Sequence, residues 1–226
     1  MIYSGHTQEV GIMNSVDKIK IIKESGLFAE LNDSVVNSIA QIANVFNYQP
    51  GEVLIHQGAE ETGAYIIANG LVKVYKLTAE GKVINLDVVG SGEIVGEMSL
   101  FNREIRSATV EAVQETQVLA IQKQDFIRLL DISSQAAAEL LSVLVERLIK
   151  NHQKLHSICF KDLGQRVLET LTVLANHFPQ REIVLSHQEL AQIAGATRPR
   201  VTEVLNELQE QGKVKLSRGS ITLRQE

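Results

Sequence analysis

Two different spacings of apolar residues divide this chain into regions of different structure. Between Val45 and Ile121, short segments such as AYIIA, LVKVYKL and VINLDVV are β-rich or alternating, and glycines separate them. Alternation with a period of two is typical of strands with one buried face, and many short strands at this spacing favour a small antiparallel barrel or jelly roll. Before them, apolar residues at helical spacing predict helix over residues 17–43.

A long helix is predicted over residues 134–160, which contain neither glycine nor proline. Its apolar positions recur at intervals of four and three, as in a heptad seam, at Leu141, Val145, Leu148, His152, Leu155 and Cys159. One interpretation is an amphipathic helix that packs on its own barrel, and the other is a parallel two-helix dimer interface. Twenty-seven residues span about 40 Å, more than an 80-residue barrel needs, which favours the dimer.

His152 is the polar exception on this seam. A polar side chain at a seam position usually fixes register or pairing, which makes a structural hydrogen bond one reading of His152. A contact with a bound ligand is the competing reading, and the sequence leaves both open.

The C-terminal region has the layout of a helix-turn-helix, in the stretch SHQELAQIAGATRPRVTEVLNELQEQG. Asp162 is typical of the N-cap of a preceding helix, and Ser186 with Glu189 forms a capping box that starts the first helix of the motif. Three further positions fit the motif. Ala191 is small enough for the two helices to approach, Gly195 permits the turn between them, and Val201 is the branched apolar residue at their corner.

The second helix of the motif has its own start and stop signals. Thr197 is predicted to cap it, Pro199 suits its first turn, and Gly212 ends it. KVKLSRGSITLR then predicts a hairpin, the wing of a winged helix. Arg198 and Arg200 lie at the N-terminal end of the second helix, where a recognition helix reaches base edges and phosphates.

Composition and charge exclude several other classes. The chain is 44% hydrophobic and 22% charged, as in an ordinary soluble globular protein. Its net charge of −5 argues against a uniformly basic nucleic-acid binder, although residues 161–226 carry nine basic and eight acidic residues. A single cysteine, Cys159, rules out an internal disulfide and a four-thiolate iron–sulfur cluster.

Other sequence signals bear on location and chemistry. No apolar run is long enough to span a membrane, and the N-terminus lacks a secretory pattern, so we expect a cytoplasmic protein with a flexible segment over residues 1–16. No nucleophile and base lie at a recognisable spacing. We therefore expect no enzyme activity, no catalytic residues and no metal.

The stretch VGEMSLFNREIRSATVEA interrupts the strand pattern with a set of residues suited to a nucleotide. Gly96 and Glu97 begin a short helical run whose backbone N–H groups suit an anion. Arg106 offers a fork of donors for a phosphate, and Ser107 adds a hydroxyl. A phosphate would repel Glu97, so its carboxylate is better suited to a ribose hydroxyl. A single arginine without a Walker-type loop indicates one negative charge, as in a cyclic monophosphate.

The chain resembles the cyclic-AMP receptor protein / FNR family of bacterial transcription regulators over about residues 20 to 224. The resemblance rests on four features: GEMSLF followed by RSA, the long helix, Asp162 with Arg166, and the winged helix-turn-helix. It implies an α+β protein with a β-roll sensor domain over 17–133, a dimerisation helix over 134–160 and a DNA-binding domain over 161–226. It also implies a homodimer that binds an inverted-repeat DNA site, responds to cyclic AMP (cyclic GMP is less favoured), contacts RNA polymerase and needs no cofactor.

The resemblance assigns roles to individual residues. Gly96, Glu97, Met98 and Ser99 would line the ribose and phosphate, and Arg106 with Ser107 would hold the cyclic phosphate. Val74 and Leu86 would flank the base. Asn151 would contact the base in its own subunit, and His152 the ligand bound in the partner subunit. The residues expected to face DNA are Ser186, His187, Gln188, Thr197, Arg198, Pro199, Arg200, Thr202 and Glu203.

Two departures from the cyclic-AMP receptor affect these assignments. That receptor has a Thr-Ser pair where this chain has Asn151 and His152, so the contacts to adenine must differ. It also has a glutamate at the Pro199 position and an arginine at the Glu203 position, so the operator sequence should differ. The alternatives are a regulator of the same fold that senses 2-oxoglutarate, haem or another effector or needs no ligand, and a cyclic-nucleotide module that regulates another protein.

Overall fold

The computed structural model of this chain describes residues 13–25, 28, 31–60, 63–81, 83–101 and 105–224. The chain forms two compact units. One consists of Met1–Leu77 and Val88–Arg147, and the other of Thr78–Asp87 and Leu148–Glu226. Of the segment predicted to be flexible, residues 1–12 lie outside the described residues. Ser15 and Val16 are helical rather than flexible, because the Asn14 side chain accepts a capping hydrogen bond from the Asp17 N–H.

Antiparallel strands form two four-stranded sheets, as the alternating pattern predicts. One four-stranded sheet has the order β1-β8-β3-β6 and the other the order β2-β7-β4-β5. Their strands are β1 (Asn44–Tyr48), β2 (Val53–Ile55), β3 (Gly63–Asn69), β4 (Leu71–Leu77), β5 (Val83–Gly90), β6 (Ile94–Val95), β7 (Thr109–Ala112) and β8 (Thr116–Gln122).

The period of two along each strand separates two apolar clusters. In β3, Tyr65 and Ile67 face the cluster inside the roll, whereas Ala64 and Ile66 face the cluster that packs against the helices. The interior cluster receives residues from both sheets, including Val72 of β4 and Val89 of β5. The roll is therefore closed by its own side chains on the inside and covered by helices on one outer face.

The helices around the roll are shorter than the sequence pattern suggests. Instead of continuous helix over 17–43, α1 (Ser15–Glu24) and α2 (Asp33–Ile42) are separate, and Asn32 caps α2 by accepting from the Val35 N–H. Residues 26, 27, 29 and 30 of the predicted helical stretch lie outside the described residues. A four-residue helix, α3 (Met98–Phe101), follows β6, and α4 (Lys123–Ile132) follows β8.

The long helix α5 (Ser134–Phe160) has the predicted bounds. Within the described residues, no helix combines the length and the apolar content that crossing a bilayer requires.

The C-terminal half of the second unit is the predicted winged helix-turn-helix. Its helices are α6 (Leu163–Ala175), α7 (His187–Ile193) and α8 (Arg198–Glu210), and a 3-10 turn covers Pro179–Arg181. A small antiparallel sheet has the order β10-β11-β9, with strands β9 (Glu182–Ile183), β10 (Val214–Ser217) and β11 (Ser220–Leu223). Asp162 caps α6 as expected, because its side chain accepts from the Gln165 N–H.

Candidate ligand socket and DNA-binding surface

The carboxylate of Glu97 is fully buried in the first unit, at the end of β6 and the start of α3. Its Oε1 accepts a hydrogen bond from Nη1 of Arg147, which lies on α5. The other guanidinium nitrogen, Nη2, donates to the carbonyl of Ile94. Oε2 of Glu97 is also buried, and among the described residues it has no hydrogen-bond partner. A buried acceptor of this kind is costly unless a donor reaches it.

Burial and the neighbouring arginines shift the pKa of Glu97 in opposite directions. Burial raises the pKa of the Glu97 carboxyl, because removal from water disfavours its charged form. The charge of Arg147 lowers the pKa, and the charge of Arg106 lowers it less. The two arginines and the glutamate carry a formal sum of +1, which suits one additional anion.

Arg106 extends its guanidinium inward and is only 4% exposed. Nη1 donates to the carbonyl of Gly96 at 2.8 Å and Nη2 to the carbonyl of Gly63 at 2.6 Å. Its backbone is also fixed, because the Arg106 N–H donates to Ala59 O and its carbonyl accepts from the Gly58 N–H, both at 2.9 Å. The cation is thus held in one place beside the Gly96-Glu97 turn.

Gly96 is required at this turn for two reasons. Its φ of +84° lies in the left-handed region that side chains disfavour. A Cβ atom here would lie 2.7 Å from Nη1 of Arg106 and 3.0 Å from Cδ1 of Ile55. The glycine therefore permits both the turn and the close approach of the guanidinium.

The helix-turn-helix of the second unit has the mechanical features that its sequence predicts. Ser186 and Glu189 form both hydrogen bonds of the capping box at the start of α7. Ala191 and Val201 are completely buried where α7 and α8 meet, and Gly195 adopts a φ of +66° in the turn between them. The second helix is thereby fixed at its corner, with its N-terminal end exposed.

The N-terminal face of α8 carries polar and charged side chains that are open to solvent. Arg200 forms a loose pair with Glu203, at 3.4 Å, on the exposed surface. The hydroxyl of Thr202 donates to Arg198 O at 3.0 Å and lies 3.0 Å from Nδ1 of His187, which ties the two helices together. The exposed residues of the predicted set are Ser186, Gln188, Thr197, Arg198, Pro199, Arg200 and Glu203, whereas His187 and Thr202 are half-buried.

Thr197 occupies the predicted cap position of α8 but does not form the expected side-chain hydrogen bond. Its backbone there is extended, but its hydroxyl caps no N–H within the described part of the chain. Pro199 removes one of the N–H groups at this helix start, and the hydroxyl of Thr197 remains on the exposed surface.

Known proteins match both units. Residues 45–133 match the family described as cyclic nucleotide-binding domain, and residues 165–226 match the Crp-like helix-turn-helix domain. The "Cyclic AMP receptor protein" of Thermus thermophilus is 32% identical over 178 residues, which are 79% of this chain and 82% of that protein. The "cAMP-activated global transcriptional regulator CRP" of Salmonella typhimurium is 30% identical and aligns with 76% of this chain and 85% of its own length.

This chain belongs to the cyclic-AMP receptor protein / FNR family. It is a DNA-binding transcription regulator with a cyclic nucleotide-binding domain. The structure of the catabolite activator protein of Thermus thermophilus is similar to that of this chain, with a TM-score of 0.54 and 30% identity. The match covers 88% of this chain and 94% of the Thermus protein. The c-di-GMP-responsive regulator CLP of Xanthomonas campestris shares the fold, with a TM-score of 0.73 at 23% identity over 86% of this chain and 100% of that one.

The remaining predicted ligand residues of this family member are distributed over several elements. Met98 on α3 is 58% exposed, and Ser107 is also exposed. The side chain of Ser99 is not among those that the structure describes. Val74 of β4 packs partly against the interior cluster of the roll. Because α3 has only four residues, its N-terminus adds little to an anion site.

In the second unit, Asn151 and His152 are exposed on α5. Leu86 is 36% exposed on β5, on the face opposite to Val89. Their contacts with a ligand therefore stay predictions.

Sequence reasoning missed two cations on α5. Arg147 neutralises the buried Glu97, but the two residues are 50 positions apart and no local pattern links them. Lys154 donates from Nζ to the carbonyls of Asn85 at 3.0 Å and Leu86 at 3.1 Å. The only sequence signal was their spacing of seven, which puts both cations on one side of the helix.

Proposed function

We propose that this chain is a homodimeric transcription regulator whose affinity for DNA is switched by cyclic AMP. The observation that carries the proposal is the buried carboxylate of Glu97, which keeps one oxygen for a donor that the described residues do not supply. A ribose 2′-hydroxyl is a donor of the right kind. It would satisfy Oε2 without adding a charge to the buried site.

The cations beside Glu97 support a ligand with a single negative charge. Arg106 is the predicted phosphate partner, and a guanidinium fork suits phosphate oxygens. A cyclic monophosphate carries one negative charge, which matches the +1 sum of Glu97, Arg106 and Arg147. Cyclic di-GMP and 2-oxoglutarate carry two, so they fit this set of charges less well. The name of the Thermus thermophilus relative also supports cyclic AMP.

Exposed apolar side chains on α5 support the dimer. Five of the six predicted seam positions are apolar or cysteine, and all six are exposed in the single chain, at Leu141, Val145, Leu148, His152, Leu155 and Cys159. An apolar stripe of this length is costly in water, and a second α5 in parallel would cover it. We therefore propose 134–160 as the dimerisation helix, between a sensor domain over 17–133 and a DNA-binding domain over 161–226.

The switch follows from ligand contacts that differ between two arrangements of the α5 seam. We propose that Asn151 contacts the base in its own subunit and that His152 contacts the ligand of the partner subunit. A ligand that binds one seam arrangement more tightly than the other shifts the equilibrium between them. DNA affinity then follows that equilibrium.

The proposed target is an inverted-repeat DNA site read by two copies of α8. A two-fold dimer should place its recognition helices in major grooves about 34 Å apart. Arg198 and Glu203 would contact base edges, and Arg200 the phosphates. The regulator would act in the cytoplasm and contact RNA polymerase when bound.

Calorimetry on the full chain tests the effector. Cyclic AMP, cyclic GMP, cyclic di-GMP and 2-oxoglutarate are titrated into the wild type and into Glu97→Gln, which keeps the shape of the side chain and removes its charge. We expect cyclic AMP to bind most tightly to the wild type and to lose affinity in Glu97→Gln. Tighter binding of either dianion, or no binding of any cyclic nucleotide, would reject cyclic AMP as the effector.

A further inference from the structure

The imidazole ring of His187 is held between the two helices of the helix-turn-helix. His187 is the first residue of α7, and its Nδ1 lies 3.0 Å from the hydroxyl oxygen of Thr202 on α8. Both side chains are half-buried, and both residues lie in the second unit. The other ring nitrogen, Nε2, forms no hydrogen bond with any residue that the structure describes. One nitrogen is therefore used within the motif, and the other is available to a bound molecule.

The single hydroxyl proton of Thr202 determines which ring nitrogen of His187 carries hydrogen. That hydroxyl donates to the carbonyl of Arg198 at 3.0 Å, a bond that threonine forms with the residue four positions earlier in a helix. Its oxygen is then an acceptor for the Nδ1–H group of His187. A neutral ring of this tautomer has only a lone pair at Nε2, whereas a protonated ring carries an N–H at both nitrogens. The protonated ring therefore has one N–H left for an acceptor in a bound molecule.

The position of His187 on the first helix of the motif indicates a DNA phosphate as that acceptor. In a helix-turn-helix, the first helix crosses the DNA backbone, while the second places its N-terminal residues at base edges. The contact with Thr202 holds the ring beside the first turn of α8, where Arg198 and Arg200 are exposed. Phosphate oxygens only accept hydrogen bonds, so they can bind Nε2 only when it carries a proton.

We infer that His187 binds a DNA phosphate in its protonated form and that Thr202 positions its ring for this contact. Where the ring is neutral in the free protein, binding of each half-site transfers one proton from solvent to Nε2, and no other covalent bond changes. Histidine suits this role because it changes charge between about pH 5 and 8. The inference rests on the proposed function, because it assumes that α7 and α8 dock on DNA together.

The carboxylates near the ring already have partners. The charged residues of the three helices that pack together here, at the ends near the ring and on α6, are Glu189, Arg198, Arg200, Glu203, Arg166 and Glu169. Glu189 accepts from the N–H and the hydroxyl of Ser186, Glu203 pairs with Arg200, and Glu169 bonds to Lys161. The phosphates of bound DNA are therefore the main new charge beside the ring, and they favour its protonated form.

Proton uptake on DNA binding tests this inference. The 226-residue chain is titrated with a duplex that the wild type has selected from random DNA, with and without saturating cyclic AMP at fixed salt. Calorimetry at neutral pH in two buffers of different ionisation enthalpy gives the number of protons taken up. We expect His187→Gln, whose amide does not titrate, to take up fewer protons than the wild type, by as much as about one for each half-site.

The pH dependence of affinity for the same duplex is the second readout. Because the protonated ring binds phosphate, wild-type affinity should fall as the pH rises from about 6 to 8, by about tenfold for each half-site, the effect of one charge-assisted hydrogen bond. His187→Gln should lose this fall. His177→Gln replaces another half-buried histidine of the second unit, outside the proposed DNA-binding surface, and should keep it.

Substitutions of Thr202 test its positioning role. Thr202→Val keeps the shape of the side chain but removes the acceptor for Nδ1–H, so its affinity should depend less on pH. Thr202→Ser retains the hydroxyl and should restore the wild-type pH dependence. Equal pH dependence in Thr202→Val and the wild type would show that Thr202 does not position the ring.

The competing explanation is that the contact between His187 and Thr202 only fixes the two helices. In that case His187→Gln lowers the unfolding temperature and weakens DNA binding equally at both pH values, which overturns the inference. Affinity that rises with pH would also overturn it, because a neutral Nε2 would then accept from a base amino group. If His187→Gln does not fold, the wild type still decides, since a pH-independent affinity is incompatible with the inference.

Failure of the proposed function can be distinguished from failure of this inference. If the wild type selects no DNA sequence, both are rejected. If cyclic AMP leaves DNA affinity unchanged, the proposed effector is rejected, and the proton measurement without nucleotide still decides the role of His187. If the wild type binds DNA and takes up no more protons than His187→Gln, only the role of His187 is rejected.

Discussion

The candidate ligand socket, formed by Gly96, Glu97, Arg106 and Arg147, and the surface at the start of α8 differ in the burial of their charged residues. In the socket, Glu97 and Arg106 are buried, and their partners Arg147 and Gly63 lie 50 and 43 positions away in the sequence. On α8, Arg198 and Arg200 are exposed, and the Arg200 side chain pairs with a residue three positions away.

This difference is the one expected from the ligands that we propose for the two regions. A small ligand with one charge gains most from groups that are already dry and fixed, since burial strengthens each electrostatic contact. A DNA duplex presents a long row of phosphates and exposed base edges, which side chains must reach from the surface. Substitutions should therefore have large and local effects in the socket and smaller, graded effects on α8.

Arg106→Ala should have the largest effect. Its side chain is the predicted partner of the phosphate, and charge-assisted hydrogen bonds contribute about 1.5–3 kcal/mol each. Two such bonds imply a loss of cyclic AMP affinity of about a hundredfold or more, measured by calorimetry. Arg128→Ala removes an exposed arginine of the same unit and serves as the control. Equal affinity in the two variants would contradict the assignment of the socket.

Breaking the ion pair of Glu97 should destabilise the first unit. Arg147→Met keeps the apolar stem of the side chain and leaves the Glu97 carboxylate buried without its cation. We expect the free energy of unfolding to fall by about 3 kcal/mol at neutral pH, measured by urea denaturation. Adding Glu97→Gln to Arg147→Met should recover most of that loss, because no buried charge then remains.

The same pair predicts a pH dependence. Burial already raises the pKa of Glu97, and loss of Arg147 should raise it further. A group whose pKa is raised on folding binds protons more readily in the native state, so stability falls as the pH rises above its unfolded pKa. The deficit of Arg147→Met should therefore be largest at neutral pH and shrink on acidification. A deficit that is independent of pH would indicate lost packing instead.

Two glycines permit a matched comparison of the regions. Gly96 and Gly195 both adopt positive φ, which costs an alanine about 1–2 kcal/mol. At Gly96 the new Cβ would also approach Arg106 Nη1 to 2.7 Å, whereas at Gly195 no described atom lies within 4 Å. Gly96→Ala should therefore lose more stability in urea denaturation and also weaken cyclic AMP binding. Similar losses of stability in both variants would show that the contact with Arg106 is unimportant.

On α8, substitution of Arg198 and of Arg200 should affect different properties of DNA binding. Arg198→Ala should relax sequence preference at one base pair in each half-site, with a cost of about 1–3 kcal/mol for the preferred base. Arg200→Ala should weaken binding to all sequences and reduce its salt dependence. Binding to a library of half-site variants at two salt concentrations measures both effects. Loss of base preference in Arg200→Ala, with none in Arg198→Ala, would reverse the two roles.

The winged helix-turn-helix and the long helix could be predicted because local rules determine them. The capping box at Ser186, the left-handed turn at Gly195 and the buried corner at Val201 each follow from a residue's own geometry. Even there, the capping role of Thr197 failed, since a helix start can be satisfied in several ways. The bounds of α5 were correct because residues 134–160 contain no helix breaker.

The socket could be predicted only in part. The GEMSLF and RSA motifs indicated Glu97 and Arg106, because those residues lie close together in the sequence. The contacts of Arg147 and Lys154 depend on where α5 passes the strands, which no short pattern specifies.

We propose that a nucleotide bound at Glu97 and Arg106 raises the affinity of this regulator for DNA. The measurement that tests this coupling is the dissociation constant of the 226-residue chain for an inverted-repeat duplex selected from random DNA, with and without saturating cyclic AMP at fixed salt. We expect cyclic AMP to tighten DNA binding by about 5- to 150-fold, the usual range for coupling between two sites. An unchanged dissociation constant, in a protein that binds cyclic AMP by calorimetry, would contradict it.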